Sequence, residues 1–142
     1  MTFEKWTEKA GFLLETSGNV LATQNTEKGG YFALDKYRAF FLEGQQIWST
    51  GKMKTVPFEK LFDMCSDAEV ATEVKRDKVD KKNILRLSVG EKSAIIQEKF
   101  SRVFPKNVVY SITGQAKAPV LVSIPEGSEL KKIAVIMPYL CK

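Results

Sequence analysis

"VSIPEGSELKKIAVIMPYL", residues 122–140, is the stretch on which the fold turns, because its apolar residues fit two incompatible structures. Leu130, Ile133, Ala134 and Met137 keep helical spacing. Val135, Ile136 and Met137 are consecutive apolar residues, two of them β-branched, which favours a strand that Pro138 would end. Residues 126–140 are therefore either a closing helix or the last strand of a sheet. In both cases the chain finishes on an apolar run, a Met-Pro step, an aromatic and a cysteine instead of a polar tail.

Upstream of this stretch the strand signals dominate. "SAIIQEKF", "NVVYSIT" and "PVLVSI" are short apolar runs separated by turns at "VGEK", "FPKN", "GQAKA" and "PEGSE". "AEVATEV" alternates Ala68, Val70, Thr72 and Val74, and "ILRLSV" alternates Leu85, Leu87 and Val89 around Arg86 and Ser88, as half-buried strands do. From Tyr31 to Ile47 the aromatic and β-branched density predicts two or three more short strands. Two helices are expected. One covers 3–15, with Phe3, Trp6, Ala10, Leu13 and Leu14 on one face. The other opens at Pro57 and places Phe58, Leu61, Phe62 and Cys65 at i, i+3, i+4, i+7. No β-α-β alternation is present. The expected fold is α+β: a single domain over 1–142, a predominantly antiparallel sheet of about eight or nine strands, and two helices packed on one face.

Composition narrows the function classes. The 142 residues are 44% hydrophobic, enough for one core, and the longest apolar stretch, 133–137, is far short of a membrane span. The N-terminal segment is interrupted by charges, unlike a signal peptide, so an intracellular protein without membrane association is expected. The chain has no histidine, which removes the usual general base and the commonest transition-metal ligand. Two cysteines, Cys65 and Cys141, supply neither a disulfide framework nor a zinc site. "VGEKS" lacks the glycine spacing of a phosphate loop. No cofactor, metal or catalytic residue is indicated, and a non-enzymatic role is expected.

Net charge is +5, from 22 Lys and Arg against 17 Asp and Glu, and 18 of the basic residues are lysine. Lysine suits sequence-independent attraction to phosphate. The cations concentrate in "KRDKVDKK", where Lys75, Arg76, Lys78, Lys81 and Lys82 occupy a link between two strands and form a candidate nucleic-acid contact; a solvated turn has the same composition.

The closing segment, with Pro119 leading one strand and Pro138 ending another, resembles the end of a sliding DNA clamp domain, as in the proliferating-cell nuclear antigen and the bacterial β clamp. "GKMKTVPFEKLFDMCSDAEVATEV" followed by "ILRLSVGEKSAII" is similar to the clamp order of turn, helix and paired strands, so the likeness covers roughly 50–140. It implies a DNA partner in replication or processing and a partner-peptide pocket at Val135, Met137, Pro138 and Tyr139. A closed ring of single-domain chains would need several copies, so the resemblance implies a clamp-like accessory factor more than a processivity clamp itself, with homo-oligomerisation one option. The ending "YLCK" departs from the bacterial clamp's arginine and leucine. The same segment also resembles the closing helix of the Whirly single-stranded nucleic-acid-binding proteins, which implies base stacking on Tyr37, Phe40, Phe41 and Trp48. A third alternative is a protein-interaction or inhibitor domain from a phage or mobile element, whose lysines only solubilise it.

Overall fold

The apolar run near the end of the chain is a strand, and it lies inside a sheet, with strands on both sides. The computed structural model describes residues 5, 6, 8, 9, 22–25, 30–34, 38–43, 58–115 and 117–139. They contain the strands β1 (Ala22–Asn25), β2 (Gly30–Leu34), β3 (Arg38–Glu43), β4 (Glu69–Val70), β5 (Glu73–Val79), β6 (Lys82–Val89), β7 (Lys92–Gln97), β8 (Val109–Ile112), β9 (Val120–Glu126) and β10 (Glu129–Ile136), and the short helices α1 (Phe58–Asp63) and α2 (Glu98–Ser101). The fold is α+β and every strand pair is antiparallel. Seven strands form one sheet in the order β1-β2-β3-β10-β9-β8-β4, and β5-β6-β7 form a second.

The helix that the Whirly resemblance implies for 126–140 is not formed; residues 129–136 pair with both β3 and β9. The helical spacing has a physical origin. The register slips between Lys132 and Ala134, so Ile133 is an extra residue on β10. Ile133 and Ala134 then share one core cluster with Ile136, while Val135 joins the other. A bulge thus breaks the period of two and imitates a helical pattern.

Both faces of the large sheet are covered. On one, Phe40, Leu42, Val120, Val122, Ile124, Ile133 and Ile136 meet Leu85, Leu87 and Ile96 of the small sheet, with Trp6 and Phe104 in the same cluster. On the other, Ala39, Leu121 and Val135 lie under Phe62 and Cys65. The expected placement of two helices on one face is therefore corrected. Trp6, flanked by the helical residues Lys5, Glu8 and Lys9, sits between the sheets, and α1 lies on the opposite side. The reason is that β3, β9 and β10 are apolar on alternate faces and need a cover on each. The rest of the predicted 3–15 helix lies outside the described residues.

Cys65 closes the α1 side. Its Sγ donates to the Pro119 carbonyl at 3.3 Å, and the residue is 3% exposed. Burial pushes its thiol up to about 11, with Lys132 opposing. A raised folded-state value means that the protonated thiol stabilises the fold, fully below pH 9.0 and decreasingly as pH rises towards about 11. In a Cys141→Ser background, urea unfolding at about pH 8 and about pH 11 should show a loss of up to 2–3 kcal/mol that Cys65→Ala lacks. An equal pH response in both proteins would refute this assignment.

Candidate functional site: a basic face at the hairpin tip

The basic stretch 75–82 is mostly strand. Residues through Val79 belong to β5, and only Asp80 and Lys81 form the turn to β6, with φ of 52° and 66°. Two positive φ values in a two-residue connection define a type I′ turn, whose twist matches that of the strands it joins. Aspartate tolerates the left-handed conformation; lysine does so at a cost. The turn also holds both side chains out in solvent.

Within the stretch the charges are partly neutralised. Lys75 pairs with Glu73 at 2.6 Å, and Arg86 donates to Asp77 at 3.1 Å. The backbone N–H of Lys78 and the Arg86 side chain hold the Asp77 carboxyl below its usual range. Arg76 approaches Glu98 at 3.8 Å. Lys78, Lys81 and Lys82 contact no carboxylate among the described residues.

The fold adds cations that the linear stretch does not contain. Lys99 and Arg102 lie on and just after α2, and together with Lys82, Asn83 and Gln97 they line a depression of about 300 Å³. Helix α2 is held there by Arg38, which donates to the Phe100 carbonyl at 3.1 Å and lies over the Phe100 ring. The lining of the depression is three cations and two carboxamides without a carboxylate. Such a set can surround an anion with donors. Lys99, Arg102 and Lys106 were not singled out from sequence. Their i, i+3, i+7 spacing in "EKFSRVFPK" was the available signal, and what it lacked was the proximity to Lys82.

The terminal segment reaches the same place. The Tyr139 N–H donates to the Ile95 carbonyl at 2.8 Å, its hydroxyl donates to Asp80 at 3.1 Å, and Lys82 lies over its ring at 5.4 Å. Two candidate sites far apart in sequence, Tyr139 and the basic tip, are therefore in contact. The four-residue pocket predicted from the clamp resemblance is not assembled: Val135 is 1% exposed beneath α1, Met137 is open to solvent, and Pro138 and Tyr139 are half-buried.

Of the predicted stacking aromatics, Phe40 is corrected. Phe40 is 1% exposed and packs against Trp6 and Phe104, with ring centroids 6.2 and 6.0 Å away, so no base can reach it. Phe41, its neighbour on the strand, is half-buried against both clusters, and Tyr37 and Trp48 lie outside the described residues.

No group of three or more Cys, Asp or Glu gathers as a metal site among the described residues. Likewise no helix among them is long and apolar enough to cross a membrane. Comparison with protein-family models, with curated proteins and with solved structures returns no match.

Two stability measurements check this geometry. Phe40→Ala should cost about 3–5 kcal/mol in chemical denaturation, as for other buried phenylalanines, while Met137→Ala should change stability by less than about 0.5 kcal/mol. Lys81→Gly should raise stability by about 0.5–1 kcal/mol by relieving the left-handed lysine; a loss would contradict the turn type.

Proposed function

We propose that this chain is a non-catalytic, intracellular, DNA-associated accessory module that holds the phosphate backbone on the face formed by the β5–β6 tip and α2. The observation that carries this reading is the convergence of Lys82, Lys99 and Arg102 on one depression that no carboxylate lines, beside the solvent-exposed Lys81. Phosphate is the ligand that such a surface fits. It is a compact anion, and a polynucleotide repeats it along a line, so neighbouring cations engage together and release counterions as they do. The contacts are to the backbone and carry no base information.

The likeness of residues 50–140 to clamp domains supports a place in replication or processing. Met137, the exposed apolar side chain of the terminal segment, is the position at which a protein partner would be engaged.

The test is fluorescence anisotropy with labelled single- and double-stranded oligonucleotides over a salt series. Binding should be micromolar at about 50 mM salt and weaken linearly in log–log form, by about 0.9 per phosphate contact for duplex and 0.7 for single strand. The triple variant Lys82→Gln, Lys99→Gln, Arg102→Gln should bind at least about tenfold more weakly and flatten that slope by about 2–3. Flat traces for both oligonucleotides, or unchanged binding by the triple variant, would overturn the proposal.

A further inference from the structure

The small sheet ends in an overhang. On β5, Val74 stands opposite Leu87 and Arg76 opposite Leu85, so these four side chains share the inner face of the sheet. Leu87 and Leu85 are in the core, yet Val74 is 48% exposed and Arg76 is exposed. β5 therefore projects past the body that supports β6. Beneath it lies a slot of about 650 Å³, walled on the far side by α2 and the segment running into β8. Its apolar lining includes Val70, Leu85, Val108 and Val109, and its rim carries Arg76, Arg102 and Lys106 against the single carboxylate of Glu98.

The strand above the slot has an open edge. β5 is the outer strand of its sheet, all seven of its residues are exposed or nearly so, and no described strand pairs with its free side. Alternate residues of such an edge direct N–H and C=O groups outward, which is a template for another strand. Charged side chains deter indiscriminate pairing at an edge, and on β5 they leave room only for a partner of matching charge. Here the outer face is neutralised by the Lys75–Glu73 and Arg86–Asp77 pairs, while the inner face offers an apolar position at Val74 followed by cations at Arg76 and Lys78.

We infer that the β5 edge and the slot below it form a docking site for an extended peptide, added as a fourth antiparallel strand. The occupant places an apolar side chain beside Val74 and acidic side chains beside Arg76 and Lys78. Strand addition accounts for what a polynucleotide would leave unused, the alternating backbone donors and acceptors of the edge. Charge complementarity sets the sign of the peptide. Its acid takes over Arg76, which now reaches Glu98 across the slot at a loose 3.8 Å. This site is separate from the phosphate-holding face, although Arg102 borders both.

The probe follows from the register. Antiparallel to Glu73–Val79, acetyl-Thr-Glu-Thr-Glu-Thr-Val-Thr-amide presents valine opposite Val74 and glutamates opposite Arg76 and Lys78. With a fluorescent label it should bind the full chain with a Kd below about 1 mM, and exchanging its glutamates for lysine should weaken it at least about tenfold. N-methylation of one alternating set of its amides should abolish binding and methylation of the other set should leave it, because only alternate residues bond across an edge. The bound peptide should also protect β5 amides from hydrogen exchange, and Val74→Lys, a change at an exposed position, should weaken binding about tenfold. Lys81→Glu should leave peptide binding unchanged while weakening DNA binding, which separates this site from the hairpin tip. No binding, equal effects of the two methylated peptides, or β5 protection by an oligonucleotide in place of the peptide would each overturn the inference.

Discussion

The rest of the structure depends on the burial of β10 on both faces at once. Ile133, Ala134, Val135 and Ile136 are each at most 1% exposed, and two different covers are needed to bury them. The small sheet and Trp6 provide one, and α1 with Cys65 provides the other. Since β10 pairs with β3 on one side and β9 on the other, the last strand in sequence joins the early strands β1 to β3 to the later β9, β8 and β4. Contacts of such sequence separation carry a loop-closure cost and form late in folding. The apolar run 133–136 is thus explained by its place between β3 and β9.

The same arrangement fixes the surfaces. Once β3, β9 and β10 are committed to the core, their aromatics are spent on packing: Phe40 joins Trp6 and Phe104 and is closed to ligands. Among the described residues the small sheet is open at its outer strand, because it is covered on its inner face only as far as β6. The start of β6 presents Lys82 to α2, and the outer strand overhangs the slot. Exposed charge is thereby gathered at the periphery of the small sheet, where the residues are solvated. The indole N–H of Trp6, buried without an acceptor among the described residues, marks the core as the place where packing outweighs polar satisfaction.

Cys65 shows how burial decides the chemistry of a reactive group. A thiol at the end of a short helix could have been a nucleophile, but its environment is the Pro119 carbonyl and apolar side chains, and its ionisation moves up, away from reactivity. The opposite holds at the hairpin tip. There the cations stay in water, and their strength lies in number and proximity.

Periodicity and turn chemistry were sufficient to read the α+β class, the antiparallel strands from β6 to β9, the helix just before Cys65 and the basic character of 75–82. Each rests on residues close in sequence, where local sterics and a single buried face act alone. Three things required the tertiary structure. The adjacent core positions Ile133 and Ala134, which imitate helical spacing, are the product of a bulge that only the partner strand reveals. The opposite-face placement of Trp6 and α1 follows from a sheet that is apolar on both sides, and strand order decides which strands those are. The meeting of Lys82 with Lys99, Arg102 and Tyr139 joins three separated segments, and no local pattern encodes that distance. Alternation tells which side of a strand is buried; what buries it, and which charges are left side by side outside, is set by the packing of the whole chain.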